Sequence, residues 1–276
     1  MSPKIKQLYD QLKTGLKDFQ QSDRWKEYLR FSTRFHHYSF GNTILIWIRK
    51  PDATRVAGFR KWHDMGRFVK AGEHGIPIFV PMLGRKIIEK NNPVRMQDNA
   101  SVLMTDEKKE ELEVQYLRGF RIGYVFDVSQ TDGKPVPELV KTLPQTATGE
   151  TLYPKFKALS PVPVSEEDIQ MNGYYHLEEK RIVIKKDNTP DQKCKTVVHE
   201  IAHATMHLKG LDKNLSREEQ ELIAESVAFV VCGEYGLDTS DYSFGYLSSW
   251  KGDDGKMQEI GAVVMEVAGG LIENCI

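Results

Sequence analysis

His199, Glu200 and His203 have the types and spacing to build a hydrolytic metal site. On a helix turning about 100° per residue, positions i and i+4 lie one turn apart on one face, so both imidazoles can reach a single ion. Glu200 then sits beside that ion. It can take a proton from a water whose pKa zinc has lowered to about 7, leaving a nucleophile that attacks a carbonyl.

Three fixed positions recur by chance in about one chain in a hundred of this length, so the surroundings decide the reading. Asp187, Asn188 and Thr189 are capping types, Pro190 suits a first turn, and Asp191 favours the positive end of a helix dipole. Val197, Val198, Ile201, Ala202 and Met206 supply apolar surface, and Gly210 can end the helix. The motif therefore falls mid-helix, in the zincin pattern.

A catalytic zinc needs a third protein ligand and an open fourth position. The next helical stretch, residues 216 to 235, opens with Ser216 and, three residues later, Glu219, a capping box. On it Glu225 stands among Ala224, Val227, Ala228, Phe229 and Val231, where an uncompensated carboxylate is costly to bury and a cation removes the cost. Glu221, one turn earlier, is the alternative ligand, or an acceptor for a histidine N–H. Its place in the charged opening turn favours Glu225. His207 continues the i+4 row, but a further turn carries it beyond comfortable reach of an ion centred between His199 and His203, and packing or helix-end capping is the expectation. Zinc suits imidazole and carboxylate ligands with an open site; manganese or another divalent ion is the alternative.

Upstream, Gly173-Tyr174-Tyr175-His176-Leu177 and Arg181-Ile182-Val183-Ile184 flank a polar Glu178-Glu179-Lys180 turn and read as a β-hairpin, whose edge could hold an extended peptide. Tyr174, Tyr175 and His176 are open candidates for stabilising an oxyanion, and nothing in the sequence selects among them. From this hairpin through the motif helix to the glutamate helix, the run resembles the ImmA/IrrE type of zinc metallopeptidase domain, over roughly residues 150 to 276. The resemblance implies that the third ligand is the glutamate of an E-x-x-x-F segment, which is Glu225 with Phe229.

At 276 residues, 40% hydrophobic and 28% charged, the chain has room for two globular units. Cys194, Cys232 and Cys275 form neither an even disulfide framework nor a paired metal motif, which suits a reducing, cytoplasmic setting. The first 15 residues read as an amphipathic helix rather than a signal peptide. No apolar run reaches the roughly 18 residues a membrane span needs.

The net charge of −1 conceals an asymmetry. Residues 1–150 carry 25 Lys and Arg against 18 Asp and Glu, a net of +7; residues 151–276 carry 13 against 21, a net of −8. The excess concentrates before residue 83, at 15 against 7, the footprint of a polyanion-binding surface. Prolines 135, 137, 144, 154, 161 and 163 mark a linker, giving an expected α+β chain of two domains: 1–135, a linker over 136–152, and 153–276. A second polar stretch, Glu89 to Glu113, reads as an excursion or lid between strands.

In the first half, Ile5, Leu8, Leu12, Leu16 and Phe19 recur at helical spacing as a core stripe, followed by a second helix around Arg24 to Arg34. The segment Val56 to Met82 reads as strands and turns carrying Arg55, Phe59, Arg60, Lys61, Trp62, Arg67 and Lys70 near or within it. Cations following phosphates while bases stack on rings suit single-stranded DNA, although aromatics in a small α+β domain are more often core. The order of these residues, YSFGNTILIWIRKPDATRVAGFRKWHDMGRFVKAGEHGIPIFVPM with the later FRIGYVFDVSQTDGKPVPEL, resembles the single-stranded-DNA-binding domain of ArdC-like antirestriction proteins. That family joins such a domain to a zinc metallopeptidase domain in this order. The resemblance implies a single-stranded-DNA-binding, zinc-dependent metallopeptidase of a mobile element with an unidentified protein substrate. The alternatives are a non-catalytic protein that coats DNA against nucleases, and a regulatory peptidase that cleaves a repressor.

Overall fold

A computed structural model describes residues 2–19, 22–35, 37–89, 100–102, 111–136, 149–238 and 254–275. The expected linker falls largely outside them, as does most of the expected excursion at 89–113. The chain opens with three helices, α1 (Pro3–Asp18), α2 (Ser22–Ser32) and α3 (Phe40–Arg49). The stripe Leu8, Leu12, Leu16 and Phe19 is buried as its spacing requires. Ser39 caps α3 by accepting from the Asn42 N–H.

A sheet follows in the order β1 (Val56–Gly58), β5 (Glu111–Asp127), β3 (Ile76–Glu89), with β4 (Ala100–Val102) also on β5. β3 and β5 run antiparallel with a register shift at Met82/Leu83, near Gly119, whose φ of 149° disfavours any side chain. Asn42 attaches α3 to the free edge of β3: its Nδ2 donates to the Phe79 carbonyl and its Oδ1 accepts from the Phe79 N–H, both at 2.8 Å, in place of a neighbouring strand. Between Val56 and Met82, where the sequence reads as strands and turns, residues Phe59–Asp64 form a helix, α4. A buried Trp62 anchors it, donating its indole N–H to the Phe126 carbonyl at 2.8 Å. A short ribbon of β2 (Arg67–Val69) and β6 (Thr131–Gly133) completes this half.

The second half has helix α5 (Gly149–Ala158), then a three-stranded sheet ordered β7 (Val164–Glu167), β9 (Arg181–Lys185), β8 (Gly173–His176). β8 and β9 form the expected hairpin, with β8 at the edge. Helices α6 (Pro190–Lys209), α7 (Arg217–Glu234) and α8 (Asp254–Asn274) follow. Their ends match the sequence signals: Thr189 caps α6 with Pro190 in its first turn, Gly210 closes it at φ 67°, and Ser216 and Glu219 form the capping box of α7.

One hydrophobic core joins the two halves. Leu8, Leu12, Trp25, Leu29, Phe40 and Ile44 belong to the same buried cluster as Val197, Ile201, Phe229, Ile260 and Val264. Inside it the Trp25 indole N–H donates to Ser226 Oγ at 2.9 Å. Gly261 of α8 lies under the Phe40 ring of α3, where a Cβ would come within 2.1 Å of ring carbons. The first half also holds a smaller core of its own, with Phe31, Phe35 and Ile46 under Ile76, Ile78 and Val125.

Candidate metal centre

α6 presents His199 and His203 on one face, and their Nε2 atoms converge to 3.1 Å. Such closeness of two ring nitrogens, each with a lone pair or a proton to place, calls for a shared partner. Glu221 of α7 supplies one: its Oε2 lies 3.3 Å from His199 Nε2 and 3.6 Å from His203 Nε2. These three side chains can each offer one atom to a common ion. Glu225 is one turn further along α7; its Oε2 is sealed from solvent and has no hydrogen-bond partner among the described residues. The carboxylate that the structure brings to the two imidazoles is thus Glu221, while the carboxylate left without a hydrogen bond at its buried oxygen is Glu225.

Glu200 is buried, 8% exposed, and its carboxylate is hydrogen-bonded to the backbone of Tyr175 on the edge strand β8. Burial raises its pKa, against the attraction of both imidazoles. Burial likewise raises that of Glu225. Glu221 goes the other way: its hydrogen bonds to His199 and His203 hold it well below the ordinary carboxylate range. At His199 burial opposes protonation, but the hydrogen bond to Glu221 and the charges of Glu200 and Glu225 outweigh it and raise the pKa. Three carboxylates around two imidazoles leave excess negative charge in a partly desolvated space, the condition a divalent cation relieves.

His207 is absent from the converging group. Its Nδ1 lies 2.9 Å from the Tyr175 hydroxyl, so it fastens the end of α6 to β8. Of the three open candidates on this strand, Tyr175 is therefore held by both its backbone, at Glu200, and its ring, at His207. The sequence carried no signal for that pairing, because the contact spans 32 residues and depends on the strand's register.

Comparison with known proteins relates both halves of the chain to known domains. Residues 4–126 match the N-terminal domain of anti-restriction factor ArdC, and residues 161–234 match the IrrE N-terminal-like domain. This is an ArdC-like two-domain chain. The metal-free crystal structure of the antirestriction ArdC protein from plasmid R388 aligns at a TM-score of 0.51 and 22% identity, covering 86% of this chain and 85% of that one. Its Mn(II)-bound structure aligns at 0.50 and 19%, covering 90% and 97%. At these identities the likeness concerns the fold. An uncharacterized Bacillus anthracis protein is 24% identical over 289 residues, covering 95% of this chain and 49% of that protein, so the chain spans about half the length of this curated relative.

The residues expected to meet DNA divide in two. Phe59 is 58% exposed, with Arg60 and Lys61 exposed beside it on α4. Trp62 is wholly buried and has no ring face to offer. Arg67 ties β2 to β6 through Thr131, and Lys70 donates to the Ser129 carbonyl at 3.0 Å. The Arg55 N–H donates to Asp127 at 3.0 Å. Sequence spacing placed these cations together, but the register of the β2–β6 ribbon gives Arg67 and Lys70 structural partners. No helix among the described residues is long and apolar enough to cross a membrane.

Proposed function

We propose that this ArdC-like chain is an antirestriction protein of a mobile element that binds single-stranded DNA through its basic first half and carries a metal-dependent peptidase centre in its second. The convergence of His199, His203 and an α7 carboxylate beside the buried Glu200 carries this reading. We assign the ligands as His199, His203 and Glu225, because the Glu225 Oε2 is sealed from solvent with no hydrogen-bond partner among the described residues, whereas Glu221 is half exposed and pairs with the imidazoles. Zinc is the metal this nitrogen and oxygen set suits, with manganese able to replace it, as the Mn(II)-bound relative illustrates for its own site.

A bound divalent ion would supply Lewis-acid polarisation of a carbonyl and acidification of water. Glu200 receives the proton at its carboxylate, and its raised pKa brings it nearer the range where a group can both accept and return a proton. The exposed edge of β8, fixed to Glu200 and His207 through Tyr175, is positioned to align an extended peptide. The substrate is expected to be a protein held near DNA, since tethering raises its local concentration. Glu200→Gln should retain metal and lose about 10²–10⁴ in peptide hydrolysis. Scoring the same variant for protection of unmodified DNA entering a restricting cell decides between readings: lost protection with retained DNA binding requires proteolysis, whereas full protection makes the protein a coat.

A further inference from the structure

The two faces of the β3–β5 sheet have different surroundings. Ile76, Ile78 and Val125 turn inward onto Phe31, Phe35 and Ile46. Alternate residues point to the opposite face, and directly paired residues share a face. Pro77 pairs with Tyr124, Phe79 with Ile122 and Pro81 with Phe120, so these six side chains form one surface. It is open at Tyr124, 55% exposed, and at Phe120, 44% exposed, while Phe79 and Ile122 between them are partly buried against the main core.

Rings extend this surface at the Phe126 end and across the β3 edge. Phe59 packs edge-on against Phe126 at 6.5 Å. Phe79 stands 6.1 Å from Phe120 and 5.9 Å from Tyr9 of α1. Gly75 keeps the row clear, since a Cβ there would lie 2.9 Å from Tyr124 Cβ and 3.0 Å from Phe126 Cζ. From Phe120 to Phe126 the strand advances about 20 Å, with successive positions on this face about 6.6 Å apart.

Three exposed rings, Phe59, Tyr124 and Phe120, on one side of the sheet need a partner, and the charges around them select which kind. Exposed Lys6 and Lys13 flank Tyr9 one turn to either side on α1; exposed Arg60 and Lys61 follow Phe59 at the other end. Asp10, Asp18 and Asp64 are the acidic residues of the same two helices, and their six Lys and Arg outnumber them. Rings between two groups of cations suit a strand whose bases stack while its phosphates meet the cations. We propose that single-stranded DNA binds on this face, its bases on Tyr124, Phe120 and Phe59, and its phosphates at Lys6, Lys13, Arg60 and Lys61. This rests on the reading above that the chain binds single-stranded DNA, and it moves the contact from Trp62, Arg67 and Lys70 to the outer sheet face.

The test uses the full chain, a fluorescent oligo-dT strand and anisotropy titrated against salt. Phe120→Ala and Tyr124→Ala should each weaken binding at least fivefold, and together about 25-fold or more, with no change in salt slope. Phe120→Leu and Tyr124→Leu, which keep apolar surface and protect the fold, should also weaken it. Charge removal at Lys6 or Arg60 should lower the slope by about 0.7 each. Wild-type binding that survives unchanged in the ring variants overturns the face while leaving DNA binding intact. No binding by wild type overturns the underlying reading as well. Equal affinity for an abasic strand overturns stacking, and a shift from dimer to monomer in the ring variants with DNA affinity unchanged assigns the face to a second copy of the chain.

Discussion

Replacing Glu225 by Gln should change the sign of its effect when metal is added. The substitution keeps the side chain's shape and removes one charge whose Oε2 is sealed from solvent and unpaired, close to Glu221 and His199. Without metal that charge destabilises the fold, so Glu225→Gln should stabilise the chain by about 1–2 kcal/mol, the scale of one unsatisfied buried polar group. For 276 residues, at about 2.1 cal/mol/K each, the unfolding entropy is about 0.6 kcal/mol/K, and Tm should rise by about 2–3 °C. With metal at 100 times its Kd, wild type gains about 2.7 kcal/mol, or about 4–5 °C. Losing a ligand should weaken binding at least 100-fold, which cuts the gain at that same concentration to about 0.4 kcal/mol, under about 1 °C. The variant should melt above wild type in chelator and below it in metal.

Glu221→Gln makes the opposite pattern. It loses the pairing with His199 and His203, so the metal-free form should be no more stable than wild type, while the metal-induced shift persists. Thermal scans of both variants with chelator and with Zn²⁺ or Mn²⁺, at one scan rate, measure all four shifts. A wild-type metal shift in Glu225→Gln together with its loss in Glu221→Gln would refute the assignment and make Glu221 the ligand. The pH dependence gives a second check. A carboxyl whose folded pKa is raised binds its proton more readily in the native state, so the metal-free form gains stability as pH falls from neutral through the raised value towards about 4.3, the ordinary Glu value. Glu225→Gln should show less of that gain, with Glu200 and His199, whose pKa values are also raised, supplying the remainder.

Three further outcomes are expected from the fold. Trp25→Phe should leave Ser226 Oγ without its donor and cost about 1–3 kcal/mol, with Ser226→Ala similar and the double variant less than additive in a denaturant cycle. Asp127 is buried, which alone would raise its pKa, yet the Ser129, Arg55 and Thr54 N–H groups donate to it and lower it on balance. Its contribution is therefore present above the ordinary Asp value of about 3.9 and lost as pH falls below, so Asp127→Asn should cost about 1.5–3 kcal/mol at neutral pH and converge on wild type in acid. Gly261→Ala should destabilise by about 1–3 kcal/mol on chemical denaturation, because its Cβ meets the Phe40 ring at the junction of the halves.

Local chemistry made the helix of His199 and His203 legible. Thr189, Pro190 and Gly210 fix where α6 begins and ends, and the i, i+4 pair then needs no tertiary information to share a face. The choice between Glu221 and Glu225 was not legible in the same way: both lie on the α7 face towards α6, one turn apart, and only the packing of the two helices decides which carboxylate reaches the imidazoles and which is sealed behind them. In the first half a hydrophobic signal has two meanings. Trp62 among cations looks the same in sequence whether it stacks on a base or, as here, anchors α4 to Phe126. The open rings Phe120 and Tyr124 escaped notice because their exposure depends on which face of β5 meets Phe31 and Phe35, and that is set by pairing across some 40 residues of chain with β3.

The shared core explains why charge asymmetry is a better guide to surface than to folding unit here. The halves carry +7 and −8, yet α1, α2 and α3 close the core against α7 and α8. The junction sits close to the metal centre: Ser226, which accepts from Trp25, follows Glu225 directly, and the Arg30 guanidinium lies 5.7 Å over the Phe229 ring one turn further on. A cut at residue 135 would strip α7 of the helix that orders the residue beside its buried carboxylate, and would leave Trp25, Leu29 and Ile44 exposed. The proposed peptidase activity and the proposed DNA binding are therefore to be measured in the intact chain, where loss of one with retention of the other can be assigned to a side chain rather than to an opened core.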